Sequence, residues 1–302
     1  MHYDRVMATA KHLNYKPHLV AQALRTATTR TVGILVPAID NPFFPRLITA
    51  AERELNGRGF ALLISSSNDD EEIEAARLEM LVERRVDGLL VSASTWHPQR
   101  PTLRDVAGRV PVVLFDQRAD GVAAPFVGID DQGGMEQLID HLTAQGARTL
   151  AHIGASDENW SGFRRRSAFE RLIGDRPDLC LVRSLQGSFS REHGYRAAMA
   201  LLQQEPDVDA VTCGNDLIAS GVLDAADSLR IRVPEDLLVT GYDDIDIATM
   251  CKPRLTTIRQ PVDELMRTAV EMLLAPRSPA DGARLEQYLS VELVVRNSSV
   301  RG

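Results

Sequence analysis

The chain has 302 residues, of which 44% are hydrophobic, 25% charged and 5% aromatic, as expected for one large or two medium-sized globular domains. No stretch has the apolar length that a membrane helix needs. Lys11, His12 and Lys16 interrupt the first residues, which excludes the apolar core of a signal peptide. We therefore expect a cytoplasmic protein that makes no contact with a membrane.

Charge is distributed unevenly along the chain. Residues 1–30 contain five basic residues and one acidic residue, a net charge of +4, so the overall net charge of −8 leaves −12 on residues 31–302. A basic arm on an acidic body is typical of a segment that faces nucleic acid. The alternative is an ordinary solvated terminus, and the charge by itself favours this alternative.

The first half of the body alternates apolar strands with amphipathic helices. Strands are predicted at 31–37, 61–67, 88–94 and 111–116. The first helix has apolar residues at helical spacing between Phe44 and Leu55. The second helix, 69–85, begins with acidic residues that match the helix dipole. This alternation indicates a parallel sheet with helices on both faces.

The same pattern then starts again. Further strands are predicted at 126–130, 149–155, 209–216, 236–244, 255–261 and 288–296. Helices are predicted near 132–145, 162–174 and 191–204, then up to about Arg230 and over 262–275. The predicted fold class is therefore α/β, with two doubly wound parallel-sheet lobes and a cleft between them. In such sheets ligands bind beyond the carboxyl ends of the strands.

The residues that follow the strands are polar and of a consistent kind. They are Asp40, Asn41, Ser66, Asn68, Ser92, Ser94, Asp116, Gln117 and Arg118 in the first half, and Asn215, Asp216, Asp243 and Asp244 in the second. Such side chains match the hydroxyl groups of a polyol, which both donate and accept hydrogen bonds. Phe44, Trp160 and Phe189 would cover the apolar face of a sugar ring. The alternative is that Asp and Asn after strands only cap helices and form turns, and the residues leave the two interpretations evenly balanced.

The sequence contains none of the common catalytic motifs: no G-x-S-x-G, no H-E-x-x-H, no P-loop and no G-x-G-x-x-G after a strand. Cys180, Cys213 and Cys251 are far apart and odd in number, which predicts reduced thiols. The seven histidines have no metal-ligand spacing. The Asp130–Asp131 pair is expected to cap the next helix rather than to act in catalysis. We therefore expect that the protein is not an enzyme and that it binds neither a metal nor a cofactor.

Segments along essentially the whole chain follow one known pattern. They read "LNYKPHLVAQALRT", "RTVGILVPAIDNPFF", "VDGLLVSAS", "VVLFDQR", "GIDDQGG", "RRRSAFE", "CGNDLIASGVL", "VTGYDDIDIATMCKPRLTTIRQP" and "VELVVRNSS". In this order they resemble the lactose/galactose repressor (LacI/GalR) family. The resemblance implies a cytoplasmic transcriptional repressor with a helix-turn-helix headpiece, a hinge helix and a periplasmic-binding-protein-like type I domain. It also implies a homodimer or tetramer, in which a sugar-like effector in the cleft modulates binding to operator DNA.

The resemblance assigns candidate site residues. Arg165 matches the Arg of the family pattern R-x-x-G-F, although Ala168 replaces the Gly and leaves Arg164 and Arg166 as alternatives. The implied effector contacts are Phe44, Asp116, Arg165, Phe189, Asn215 and Asp243, and we predict Trp160 and Gln260 as two further contacts.

The resemblance also explains the start of the chain. Residues 4–17 resemble the last headpiece helix and residues 18–26 the hinge helix. Leu24 matches a leucine that enters the minor groove, with Gln22 and Arg25 as further DNA-binding positions. The two preceding headpiece helices, including the one that reads the major groove, are missing. We therefore expect this chain by itself not to recognise an operator, and we favour a start codon placed too far downstream over a real loss of the headpiece.

The implied boundaries are 1–30 for the headpiece remnant and hinge, about 31–130 and 261–287 for the N-lobe, and about 131–260 and 288–302 for the C-lobe. A second class of function stays open: a sugar-binding module without a DNA role, such as a transport-type binding protein or a headless sensor. The hinge motif favours the regulator, and the missing signal peptide counts against a transport protein.

Overall fold

A computed structural model describes residue 12 and residues 28–97, 100–276 and 286–301 of the protein. The predicted hinge helix, with Gln22, Leu24 and Arg25, lies outside the described residues, and so does the predicted headpiece helix apart from His12. Within the described ranges the α/β prediction with two parallel-sheet lobes is confirmed.

The first lobe is built on one sheet of six strands. They are β1 (Thr31–Val36), β2 (Ala61–Ser66), β3 (Gly88–Val91), β4 (Val112–Phe115), β5 (Phe126–Ile129) and β11 (Glu286–Leu289). The order is β11-β5-β4-β3-β1-β2, and every neighbouring pair is parallel. The helices of this lobe are α1 (Phe43–Gly57), α2 (Glu71–Glu83), α3 (Pro101–Arg109) and α9 (Val262–Leu274).

Successive residues of β1 explain why helices cover both faces of this sheet. Ile34 packs into the core layer of α1 and α9, together with Leu47 and Leu265. Leu35 points to the opposite face and packs with Leu78 of α2. Because neighbouring residues of a strand face opposite sides, a strand that is apolar throughout needs a helical layer on each side.

The second lobe repeats the plan with four parallel strands in the order β7-β6-β8-β9. The strands are β6 (Thr149–Ala155), β7 (Cys180–Gly187), β8 (Ala210–Cys213) and β9 (Leu238–Thr240). The helices are α4 (Asp131–Ala144), α5 (Trp160–Gly174), α6 (Arg191–Gln204), α7 (Asp216–Ser228) and the short α8 (Ile247–Met250). Helices α6 and α7 approach so closely at Gly194 that a Cβ on this residue would lie 2.1 Å from the carbonyl oxygen of Ile218. The approach is possible because glycine has no Cβ.

The chain passes between the lobes three times: from β5 to α4, from β10 (Thr257–Arg259) to α9, and from β11 to β12 (Glu292–Val294). The last passage corrects the single strand predicted at 288–296. Residues 286–289 pair in parallel with β5 of the first lobe, whereas 292–294 pair antiparallel with β10. Tyr288 and Leu289 therefore belong to the first sheet and not to the second lobe. The sequence prediction was wrong here because a continuous apolar run does not reveal that its pairing partner changes.

The sequence prediction omitted α3 and β7. Strand β7 is an edge strand whose residues are mostly exposed or half-buried, so it lacks the apolar run that identified the other strands. Helix α3 has only two buried residues, Leu103 and Val106, and begins with proline. Across the described ranges, no helix combines the length and apolar character required to span a bilayer.

Candidate functional site

A cavity of about 480 Å³ lies between the two lobes, beyond the carboxyl ends of their strands. Seven of the eight predicted effector contacts line it: Phe44, Asp116, Arg165, Phe189, Asn215, Asp243 and Gln260. They come from both lobes and from the segment after β10. Parallel sheets bring the ends of distant strands to one edge, and this is how residues nearly 220 positions apart in sequence, Phe44 and Gln260, come to share one cavity.

Trp160 is the predicted contact that the structure does not bring to the cavity. It lies in an aromatic cluster, 5.5 Å from the ring of Trp96 and 6.3 Å from that of Phe163. Arg118 of the first lobe lies over the Trp160 ring at 5.6 Å. The indole nitrogen of Trp96 donates to the carbonyl oxygen of Asp157 at 2.7 Å, so the cluster joins the loop after β3 to the second lobe.

Of the three consecutive arginines, Arg165 is the one that lines the cavity. Its Nε donates to Asp131 Oδ1 at 2.9 Å, and its Nη1 to the carbonyl oxygen of Gly214 at 2.7 Å and to Asp243 Oδ1 at 3.3 Å. Its guanidinium lies 3.7 Å from the centre of the Tyr242 ring. Burial by itself lowers the pKa of Arg165, but the carboxylates of Asp243 and Asp131 outweigh it and raise that pKa.

The sequence analysis missed the contact of Asp131 with Arg165 behind the cavity lining. Asp131 was expected to cap α4 together with Asp130, but Asp130 alone caps, accepting from the backbone nitrogen of Gly133 at 3.0 Å. Asp131 is buried and pairs with Arg165. No signal in the sequence separated it from an ordinary first-turn aspartate, because an acidic residue there is already favoured by the helix dipole.

Asp243 reaches the cavity from an unusual backbone. Its φ is +101° and that of Asp244 is +48°, a left-handed conformation that side chains with a Cβ rarely adopt. The carboxylate accepts from Gln260 Nε2 at 2.7 Å and from Arg165. Burial raises its pKa to about 6, against the opposing effect of Arg165.

Asp116 also has a positive φ, +57°, and it faces the cavity from the first lobe. Its carboxylate accepts from Gln117 Nε2 at 3.1 Å and from Ser92 Oγ at 3.4 Å. Burial raises the pKa of Asp116 to about 7; Arg165 lowers it less, and the nearby carboxylate of Asp243 adds to the increase.

Two residues that line the cavity have a buried polar atom without a partner among the described residues. Asn215 accepts from the backbone nitrogen of Ile218 at 2.9 Å through Oδ1, which leaves its Nδ2 without a hydrogen bond. Gln260 donates to Asp243 through Nε2, which leaves its Oε1 without one. Asn215 is therefore both a helix cap and a cavity residue, so the two interpretations of the post-strand residues are not exclusive at this position.

Other post-strand residues have structural contacts, although Asn41 also lines the cavity. Asn41 Oδ1 accepts from the backbone nitrogen of Phe43, and Asp244 pairs with Arg259 and Arg296. Asp216 is buried and accepts from Thr257 Oγ1 at 2.6 Å and from the backbone nitrogen of Ile245 at 2.8 Å. For these residues the cap and turn interpretation, or an internal bond, accounts for the residue type.

The buried pair of Glu74 and Arg100 beneath the cavity was also missed. Glu74 accepts from both the backbone nitrogen and the hydroxyl of Ser94, at 2.7 and 2.6 Å, and forms an ion pair with Arg100. Arg100 in turn donates to the carbonyl oxygen of Thr95. The pair fixes the loop that carries Ser94 to the cavity and Trp96 to the other lobe.

Comparison with known proteins identifies the family. Residues 139–299 match the family described as periplasmic binding protein-like domain. The HTH-type transcriptional repressor PurR of Erwinia tasmaniensis is 32% identical over 275 residues, which is 90% of this chain and 80% of the repressor. The same repressor of Escherichia fergusonii is 34% identical over 278 residues, again 90% of this chain and 80% of the repressor. The chain belongs to the LacI/GalR repressor family.

Solved structures agree with this LacI/GalR assignment. The lac repressor dimer bound to operator and the anti-inducer ONPF has a TM-score of 0.88 at 24% identity, covering 99% of this chain and 90% of that one. The transcriptional regulator CelR in complex with cellobiose has a TM-score of 0.79 at 28% identity, covering 98% and 90%. These relatives are transcriptional regulators rather than enzymes. Among the described residues, no group of three or more His, Cys, Asp or Glu side chains could hold a metal ion.

Proposed function

We propose that this LacI/GalR protein is a transcriptional repressor whose cavity binds a small sugar or sugar-like effector, and that the effector modulates operator binding. The observation that carries the proposal is the polar lining of the cavity, in which two residues, Asn215 and Gln260, each have a buried atom without a hydrogen-bond partner among the described residues, the donor Nδ2 and the acceptor Oε1. A buried polar atom without a partner costs free energy, which a bound ligand that supplies the missing hydrogen bond recovers.

Hydroxyl groups satisfy both atoms, because each hydroxyl donates one hydrogen bond and accepts others. Asp116 and Asp243 add carboxylate acceptors, and Phe44 and Phe189 add aromatic surface for the apolar face of a sugar ring. A volume of about 480 Å³ lies within the usual range for small-molecule sites. The cellobiose complex of CelR supports a carbohydrate, as does the regulator from Alkaliphilus metalliredigens QYMF complexed with D-xylulofuranose, 26% identical with a TM-score of 0.77 and covering 90% of this chain and 100% of that one.

The test is a thermal-shift and calorimetric screen of D-xylose, D-ribose, D-glucose, D-galactose, cellobiose and xylitol. A compound at 100 times its dissociation constant stabilises the fold by about 2.7 kcal/mol. Asn215→Ser is the matched variant: serine keeps the cap of α7 but removes the N–H donor. We expect weaker binding at unchanged stability. If no sugar or polyol binds, or if Asn215→Ser binds as tightly as the parent, the proposal fails.

We further propose a cytoplasmic homodimer, or a tetramer, that binds operator DNA and has no catalytic activity. The lac repressor dimer on its operator supports this assembly. The apolar side chains of α1 pack in the core and therefore give no support to a dimer contact. The surface features that support such a contact lie on β2 and α2. Ile64 on the edge strand β2 is 47% exposed, and only Glu74, Leu78 and Leu81 of α2 are buried.

Light scattering at micromolar concentration tests the assembly, and a monomeric mass would contradict it. Fluorescence anisotropy with operator-like DNA, with and without the sugar found in the screen, tests the regulatory role. Sugar binding with no effect on DNA binding would favour a sugar-binding module without a DNA role.

A further inference from the structure

The loop that carries Asp243 contacts the opposite lobe through its backbone. The carbonyl oxygens of Asp243 and Asp244 both accept from Nη1 of Arg46, at 3.3 and 2.8 Å. Arg46 lies on α1, two residues after Phe44, whose ring lines the cavity. One guanidinium of the first lobe therefore holds two consecutive carbonyl groups of the second.

These two carbonyl groups belong to the pair of residues in left-handed conformation, with φ values of +101° and +48°. Such a backbone persists only where the surroundings hold it. The side-chain end of Asp244 is held by Arg259 Nε at 2.8 Å and Arg296 Nη2 at 2.6 Å. The carbonyl side is held by Arg46, so the loop is fixed from both directions.

Arg46 differs in its partners from Arg53, which lies two turns later on the same helix. Arg53 pairs with Asp263 at 2.8 Å, a contact within the first lobe. Among the residues that the structure describes, no carboxylate lies within ion-pair distance of Arg46, and its hydrogen bonds go to the two loop carbonyls. Its charge therefore acts on the loop and not on a surface pair.

We propose that Arg46 is a positioning residue: it holds the Asp243–Asp244 backbone in the geometry that presents the Asp243 carboxylate to the cavity, and it couples that geometry to the approach of the two lobes. This rests on the proposed function. When the lobes separate, Arg46 withdraws and the strained loop loses its support from the first lobe. Ligand affinity and lobe arrangement are then linked through this contact.

The experiment uses the full chain with Arg46→Met, Arg46→Lys and the control Arg53→Met. The first readout needs no ligand: amide hydrogen exchange of Asp243, whose N–H bonds to the carbonyl of Ile258, and of Ile245, whose N–H bonds to Asp216. We expect at least tenfold faster exchange at both amides in Arg46→Met and an intermediate rate in Arg46→Lys, because one ammonium keeps the charge and part of the bonding. We expect no change there in Arg53→Met, nor in β8 of any variant.

The second readout is the dissociation constant for cellobiose and the five other compounds of the screen. We expect about a tenfold increase in Arg46→Met, partial recovery in Arg46→Lys and no change in Arg53→Met. Exchange in Arg46→Met equal to that in Arg53→Met would overturn the proposal, as would equal loss of affinity in both. If none of the six compounds binds the parent, the proposed function fails, and the exchange result still decides the role of Arg46.

Discussion

The two walls of the cavity present their carboxylates in different ways. On the second-lobe wall, Asp243 is bonded to Arg165 and Gln260. On the first-lobe wall, Asp116 accepts only from neutral groups, Ser92 and Gln117, among the described residues. The pKa of Asp116 is raised to about 7 and that of Asp243 to about 6. Both increases come first from burial, and the cation in direct contact with Asp243 explains why its pKa stays lower.

The comparison indicates how the walls share the task of binding. The second-lobe wall is organised before a ligand arrives, because Arg165 already fixes Asp131 and Asp243. The first-lobe wall has a carboxylate that lacks a strong donor until a ligand supplies one. If the proposed effector binds here, a hydroxyl that donates to Asp116 would supply the partner that this wall lacks.

The first-lobe wall should have its greatest effect on how the stability of the protein depends on pH. The raised pKa of Asp116, about 7, means that the folded protein retains a proton which the unfolded chain, with a pKa of about 4, releases. The stabilisation is complete below the unfolded pKa and is lost as the pH rises through 7. Relative to Asp116→Asn, the parent should lose up to about 4 kcal/mol of unfolding free energy between pH 4 and pH 8. Urea unfolding of both proteins at each pH measures the difference in unfolding free energy. If that difference is the same at pH 4 and pH 8, the pKa of Asp116 is not raised as described.

Removing Asp131 tests whether the second-lobe wall depends on its buried ion pair. Asp131→Ala leaves the buried Arg165 without its Nε partner, and we expect about 3 kcal/mol less unfolding free energy. Asp140→Ala is the control on the same helix, since Asp140 pairs with Arg176 at 2.6 Å but is 60% exposed. The control should lose no more than about 1 kcal/mol. Equal losses in urea unfolding would mean that burial gives the Asp131 pair no special weight.

Asp243→Ala tests the second-lobe wall as a binding surface. The change removes acceptors for ligand hydroxyls, and we expect about a hundredfold weaker binding, or about 2.7 kcal/mol, of the sugar found in the screen. Asp246→Ala alters an exposed aspartate of the same loop and should leave affinity unchanged. Calorimetric titration compares the two variants. An affinity for Asp243→Ala within threefold of the parent's would remove Asp243 from the site.

The smallest expected effect concerns the contact that joins the walls beside the cavity. Trp96→Phe removes the hydrogen bond from the indole nitrogen to the carbonyl of Asp157 but keeps an aromatic ring against Phe163. We expect about 1 kcal/mol less unfolding free energy in urea. His97→Ala removes only the exposed ring that stacks on Trp96 and should have no measurable effect. If His97→Ala costs as much as Trp96→Phe, the hydrogen bond between the lobes carries no measurable weight.

Local patterns and the family resemblance were enough to predict the fold class, the alternation of strands and helices, and seven of the residues that line the cavity. Apolar strands such as β1 and amphipathic helices such as α1 are local patterns, since each is set by neighbouring residues. Positions such as Asp116 and Asn215 could be found because parallel strands deliver their following residues to one edge. The family pattern then selected among them.

Other assignments depend on residues that are distant in the chain and meet only in the folded protein. Asp131 contacts the site because Arg165, 34 positions later, bonds to it. The ring of Trp160 packs against Trp96 and Phe163 and does not line the cavity. The strand predicted at 288–296 divided because its two halves pair with strands in different lobes. The type of a side chain limits what it can bind, but the residues that contact it in the folded protein fix its pKa, its hydrogen bonds and its role.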